Sequence, residues 1–139
     1  MWMALALGGC MGHTVPPEPA PLDWDGFWMT FRAAAVAHDR AVLRGLMSAK
    51  FDYTFGDGEP TPEKAFAFWD RAEIRGWEAL GEVAATSAVE YVPPPQWEMK
   101  GKVKIAPPAA AQAGYRQWRA VFEQQADGEW RFAAFLQGD

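Results

Sequence analysis

Two histidines and a single cysteine are all that this 139-residue chain offers to a disulfide or a borderline-soft metal. One cysteine excludes an intrachain disulfide. His13 and His38 stand apart, with no H-x-x-H or paired-acid spacing, so no zinc site is expected. Basic charge is also scarce: 13 Lys and Arg against 18 Asp and Glu leave a net charge of −5. Nucleic-acid binding normally needs a basic face, so that class of partner is excluded. No apolar run approaches the roughly 20 residues that cross a bilayer as a helix. There is no Gly-x-Ser-x-Gly, and Ser48 and Ser87 have no base beside them, which removes a serine triad. Gly56-Asp57-Gly58 lacks the further glycine and helix entry of a dinucleotide fingerprint and reads as turn chemistry. No cofactor is expected.

What the chain does have is aromatic residues. Half of it is apolar, with eight Trp and nine Phe, enough for the core of one domain. The clearest element is 115–136, YRQWRAVFEQQADGEWRFAAFL, two strand-forming runs around Ala126-Asp127-Gly128. A two-residue loop would mix both faces. A three-residue loop with Gly128 left-handed pairs Gln125 with Glu129 and sets Phe122 opposite Phe132, Ala120 opposite Ala134, and Trp118 opposite Leu136. Because a one-residue slip exchanges the faces, the second register is expected, with one apolar face to be covered. Glu123 then stands opposite Arg131 on the other face.

At the other end, Leu7-Gly8-Gly9-Cys10 resembles the lipobox of bacterial lipoproteins, where a leucine and two small residues precede the lipidated cysteine. The preceding run is short and no Lys or Arg stands before it, as expected if the true start lies upstream. The resemblance implies lipidation at Cys10 and attachment to a membrane by that anchor alone. Met11 stands where an inner-membrane retention signal would have Asp, which points to the outer membrane, facing the periplasm. Residues 1–10 are therefore read as a lipoprotein-type signal segment. Residues 11–22, with four prolines, are read as a semi-rigid tether, and 23–139 as a single domain.

Within that domain, Trp24, Trp28, Phe31, Ala35, Val42 and Leu46 recur at helical spacing, widened by Phe27, Leu43 and Met47. Asp39 falls on this stripe. One reading breaks the helix near His38 and makes Asp39 the cap of a second helix; the other keeps one helix with Asp39 facing a cavity. Phe51 to Phe55 alternates and reads as a strand. Thr61-Pro62 starts a helix with Phe66 and Trp69 on one side, and Ile74 to Val83 a further one interrupted by Gly76. Ala88 to Val92 reads as a strand closed by three prolines, and Trp97 to Ile105 as a strand with Lys100, Lys102 and Lys104 on one solvated face. Pro107 to Gly114 reads as a loop.

The helical segment Trp28 to Met47 with Asp39, then FDYTFGDGEPTPEKAFAFW, then VFEQQADGEWRFAAFL resembles the NTF2-like superfamily, which includes SnoaL-like and ketosteroid-isomerase-like domains. It is similar in particular to small NTF2-like lipoproteins of bacteria. The resemblance implies an α+β fold, with N-terminal helices packed on a curved antiparallel sheet as a cone and a C-terminal β-hairpin. A cystatin-like or lipocalin-like arrangement is the rival, and the helix-rich first half counts against the lipocalin. The same resemblance implies a cone lined by Trp28, Phe31, Trp69, Trp118, Phe122 and Phe132, as a ligand pocket or as plain core. It also implies an outer sheet face, bearing Arg119, Val121, Glu123, Arg131, Ala133 and Phe135, that could pair two copies. Non-catalytic binding of a small apolar ligand or a protein partner is expected. The alternative is an acid–base enzyme using Asp39 as base, with Tyr53, Tyr91 or His38 as further in-facing groups; no residue-by-residue match to that catalytic pattern is present.

Overall fold

The computed structural model describes residues 22–138. The signal-like segment, Cys10 and all but the last residue of the tether lie outside them. Helix α1 (Trp24–Ala37) leads into α2 (Arg40–Leu46) and edge strand β1 (Met47–Asp52). A helix pair follows, α3 (Pro62–Trp69) and α4 (Gly76–Ala84), and then β2 (Val89–Glu90), β3 (Val103–Ala106), β4 (Arg119–Gln124) and β5 (Trp130–Leu136). This is the expected α+β order, helices first and an aromatic hairpin last. The sheet runs β1-β5-β4-β3-β2. It is mixed rather than antiparallel throughout, because β1 lies parallel to β5. A helix pair and three strands separate the two in sequence, the long connection that parallel pairing requires.

The helix break falls at His38. That residue is left-handed (φ 54°) and ends α1, while Asp39 Oδ1 accepts the Val42 N–H at 3.1 Å and starts α2. The break rephases the apolar stripe: Phe27, Phe31, Ala34, Ala35 and Leu43 are buried, whereas Val42, expected to face inward, is exposed. Asp23 caps α1 through the Gly26 N–H, and Thr61 caps α3 through the Lys64 N–H with Pro62 at its first turn. Gly76 does not interrupt α4 but begins it, and a Cβ there would lie 2.6 Å from Trp69 Cδ1. Close packing of a helix start on an indole explains the glycine.

The hairpin turn follows the three-residue reading. Gln125 donates to the Glu129 carbonyl at 2.7 Å, Gly128 is left-handed, and Phe122 pairs with Phe132 and Glu123 with Arg131. Beyond that point the register shifts: Val121 pairs with Ala134, Ala120 with Phe135, and Arg119 with Leu136. Ala133 is the extra residue of a β-bulge. The expected Ala120–Ala134 and Trp118–Leu136 pairs are thereby lost, and Ala134 and Leu136 turn to the face opposite Phe132.

Two cores result. The helix-side core gathers Phe27, Phe31, Phe51, Trp69, Phe122, Phe132 and Phe135. The other joins Val103, Ile105, Ala110, Val121, Ala134 and Leu136 under Tyr91, Trp97, Met99 and Tyr115. Segments that read as strand ends and a loop supply this second cover: 3-10 turns form at Pro95–Trp97 and, within the expected loop, at Pro108–Ala111, and β3 begins only at Val103. Lys104 is not fully solvated, since its ammonium lies 5.0 Å from the Trp24 ring centroid.

Candidate functional site

The six aromatics expected to line a cone pack into rings on rings. Phe31 meets Phe122 at 5.0 Å and Phe132 at 4.8 Å between centroids, both edge-to-face, and Trp28 stacks on Phe31 at 5.4 Å. Trp69 sits further along, edge-on to Phe51, Trp77 and Phe135, and Trp118 stacks on Phe135 at 4.7 Å. Phe31, Phe122 and Phe132 are fully buried. These contacts are the offset and perpendicular geometries that aromatic pairs favour, and they fill the space between helices and sheet with side chains. Trp69 Nε1–H is the one buried side-chain polar atom among the described residues that lacks a hydrogen-bond partner.

The acid–base residues are dispersed. Asp39 is exposed at the helix junction, with Oδ1 on the Val42 N–H. His38 stacks on the Trp77 indole at 4.8 Å. Tyr53 lies after β1, its ring 5.4 Å from Phe68, in a recess shared with Asp57, Glu73 and Trp118. Tyr91 lies at the other end of the sheet, 6.0 Å from Trp97, and lines a different recess. Asp39 lines neither recess.

Open space occurs on the opposite side of the sheet. A groove of about 430 Å³ runs between β1 and the segment around Trp97. Its floor is Ala133, Ala134 and Leu136, and its apolar walls are Phe55, Trp97 and Met99. Ser48, Lys50, Asp52, Glu98, Glu123 and Gln125 supply the polar rim. The bulge makes the floor: it presents two successive alanines where larger side chains would fill the recess.

Carboxylates that accept backbone N–H groups hold the walls. Asp52 Oδ1 accepts the N–H groups of Thr54 and Gly56 at 3.1 and 3.2 Å, which ends β1 and curls 53–58 into a turn rather than the expected strand. Phe55 is left at φ 55°, a conformation uncommon for a bulky side chain. On the other wall, Glu123 Oε2 accepts the N–H groups of Lys100 and Gly101 at 2.7 and 3.2 Å. Gly101 runs so close to β4 that a Cβ would collide with the Gln124 carbonyl oxygen. Arg119 is buried beneath Phe55, its guanidinium 5.2 Å from that ring and donating to the carbonyls of Gln117 and Gly138.

Charge is unevenly spread across the molecule. The Arg40 guanidinium and then the Trp77 indole N–H hold the Asp70 carboxyl below its ordinary value, at the junction of α2 with the helix pair. In the second core, burial pushes the Tyr115 hydroxyl up, and that hydroxyl donates to the Trp118 carbonyl. No group of His, Cys, Asp and Glu among the described residues is placed to hold a metal ion. Among the same residues, no helix is long and apolar enough to cross a membrane.

No protein-family profile matches the chain, and no curated protein matches it. The chain is similar to several solved structures, among them these two. One is described as a "putative ketosteroid isomerase" from Shewanella frigidimarina, at 16% identity and a TM-score of 0.37, covering 79% of this chain and 89% of that one. The other is a conserved protein from Planctomyces limnophilus, at 16% identity and a TM-score of 0.35, covering 80% and 88%. Neither likeness bears on activity.

Sequence reasoning did not find the groove. Phe55 and Trp97 read as strand residues, and Ala133 and Phe135 as parts of an outer face open to a second copy. In the structure Phe135 faces the helices and Val121 is fully covered by the chain's own loops. One signal was present: Asp52 followed by Gly56 and Gly58 is the spacing of a side-chain-capped turn, which argues against a strand through Phe55.

Proposed function

We propose that this chain is a non-catalytic binding domain of the cell envelope, lipid-anchored through Cys10 and facing the periplasm, that takes a small apolar ligand in the groove over Ala133, Ala134 and Leu136. The observation that carries this reading is the contrast in filling. The aromatic interior closes on itself, whereas the groove keeps about 430 Å³ of space above an apolar floor. That volume lies within the several-hundred-Å³ range of small-molecule sites, and a few polar groups around an apolar lining is their usual makeup. Against acid–base chemistry at Asp39 stands its exposed position as a helix cap. The anchor rests on Leu7-Gly8-Gly9-Cys10 followed by a proline-rich spacer.

Amide-resolved NMR of the domain, titrated with short alcohols and alkyl probes, tests the groove. Shifts are expected at Phe55, Trp97, Met99 and Ala133. Shifts confined to Trp28, Phe31 and Phe122 would return the site to the helix side, and no shift at either place would end the binding reading. For the anchor, the gene expressed with its upstream coding sequence is expected to give a membrane-fractionating, acylated protein that becomes soluble on Cys10→Ala. An unmodified Cys10 in the soluble fraction would overturn it.

A further inference from the structure

The groove's rim indicates which apolar ligand it takes. Three carboxylates, Asp52, Glu98 and Glu123, line it against a single ammonium, Lys50. Asp52 and Glu123 each direct one oxygen to backbone N–H groups and, among the described residues, form no salt bridge with a cationic side chain. The Glu98 carboxylate and the Lys50 ammonium have no hydrogen-bond or ion-pair partner among the described residues. Five acids elsewhere form ion pairs: Asp70 with Arg40, Glu63 with Arg44, Glu73 with Arg71, Glu78 with Arg75, and Glu129 with Arg131. Three carboxylates without a salt bridge among the described residues thus share one apolar groove with the Trp97 ring, whose face attracts cations, while the Phe55 ring already carries the Arg119 guanidinium.

Resting on the binding reading above, we infer that the ligand is an organic cation with an apolar body, in its simplest form a primary alkylammonium. Its hydrocarbon part would lie on Ala133, Ala134 and Leu136. Its charge would lie at the rim among Asp52, Glu98 and the Trp97 ring. Charge complementarity selects this occupant over a fatty acid, whose carboxylate would meet three others.

The test uses the 139-residue protein with three probes of equal chain length: n-octylammonium, 1-octanol and octanoate. Calorimetry measures affinity and NMR locates binding. Octylammonium is expected to bind about tenfold more tightly than octanoate, as like charges in a shared groove oppose binding. Glu98→Gln should weaken octylammonium about three- to fivefold, the scale of an exposed charge contact, and leave octanol unchanged. Lys50→Gln should strengthen octylammonium by a similar factor. Both changes are at exposed side chains without partners, so folding is not at risk. If all three probes bind equally at the groove, the binding reading stands and the preference for a cation falls. If octanoate binds best, the preference is reversed and the inference is wrong. If none perturbs Phe55, Trp97 or Ala133, the groove itself is not the site.

Discussion

The two faces of the sheet are built differently from the same two strands. Toward the helices, β4 and β5 present Phe122, Phe132 and Phe135, and large rings interlock until little room remains. Away from the helices they present Val121, Ala134 and Leu136, covered by turns and loops. A helix supplies a continuous ridge of side chains that can follow an aromatic surface. Two short 3-10 turns and a proline-rich connection cannot, and so they leave a groove. The helix side should therefore govern stability, and the loop side should hold whatever exchanges with solvent.

The sharpest way to break this contrast is a pair of neighbouring substitutions. Phe122 and Val121 are adjacent in β4, both fully buried, and point to opposite faces. Phe122→Ala should cost about 3–5 kcal/mol in denaturant-induced unfolding. Val121→Ala should cost about 2 kcal/mol, since fewer methylenes leave the core. Equal losses would mean that the loop-covered face is as well packed as the helix-covered one.

Gly76→Ala tests the packing of the helix pair. Its new Cβ would press on Trp69, which is edge-on to Phe51 and Phe135 and has no freedom to retreat. The overpacking should cost about 1–3 kcal/mol, despite alanine's better helix propensity. A stabilised variant would show that Trp69 can shift, and that the helix-side core is looser than its ring contacts imply.

Asp39→Ala comes next and bears on the enzyme alternative as well. Losing the cap on the Val42 N–H should cost about 0.5–2 kcal/mol of stability and leave probe binding at the groove unchanged. Binding that falls while stability holds would give Asp39 a role beyond the cap.

These comparisons also mark how far the sequence could be read. Helix starts and the hairpin turn were legible because each rests on local chemistry: Asp39 and Thr61 on nearby N–H groups, and Gly128 in a left-handed turn. The bulge was not legible. Between Phe132 and Leu136 every residue is apolar, so no alternation of polar and apolar positions marks which face each belongs to, and no glycine flags the extra residue. One unseen insertion at Ala133 moved Ala134 and Leu136 across the sheet. The two alanines expected opposite one another were thereby divided, with Ala120 in the helix-side core and Ala134 under the groove. The groove's other wall depends on Glu123 reaching backbone N–H groups some twenty residues earlier. That contact has no local signature, and the cross-strand partner available to Glu123, Arg131, bonds Glu129 instead.

The smallest predicted effect separates the helix side from the groove by pH. Asp70 joins α2 to the helix pair through Arg40 and Trp77, and these partners lower its pKa in the folded state. A depressed folded pKa adds stability above the unfolded value of about 3.9, and that contribution disappears as pH falls through the lower folded value. Because both side chains are nearly half exposed, the contribution should be at most about 1 kcal/mol, as for other surface ion pairs. Asp70→Asn should thus destabilise the protein slightly at pH 7, and the difference from the wild type should close as the pH drops below about 4. Paired thermal melts across pH 2 to 7 would measure it. Octylammonium affinity at pH 7 should be the same in both proteins, since Asp70 does not line the groove. A stability gap that persists at the acidic end would mean that the wild-type advantage does not come from the charge of Asp70, since the amide oxygen of the Asp70→Asn variant can still accept the Trp77 N–H.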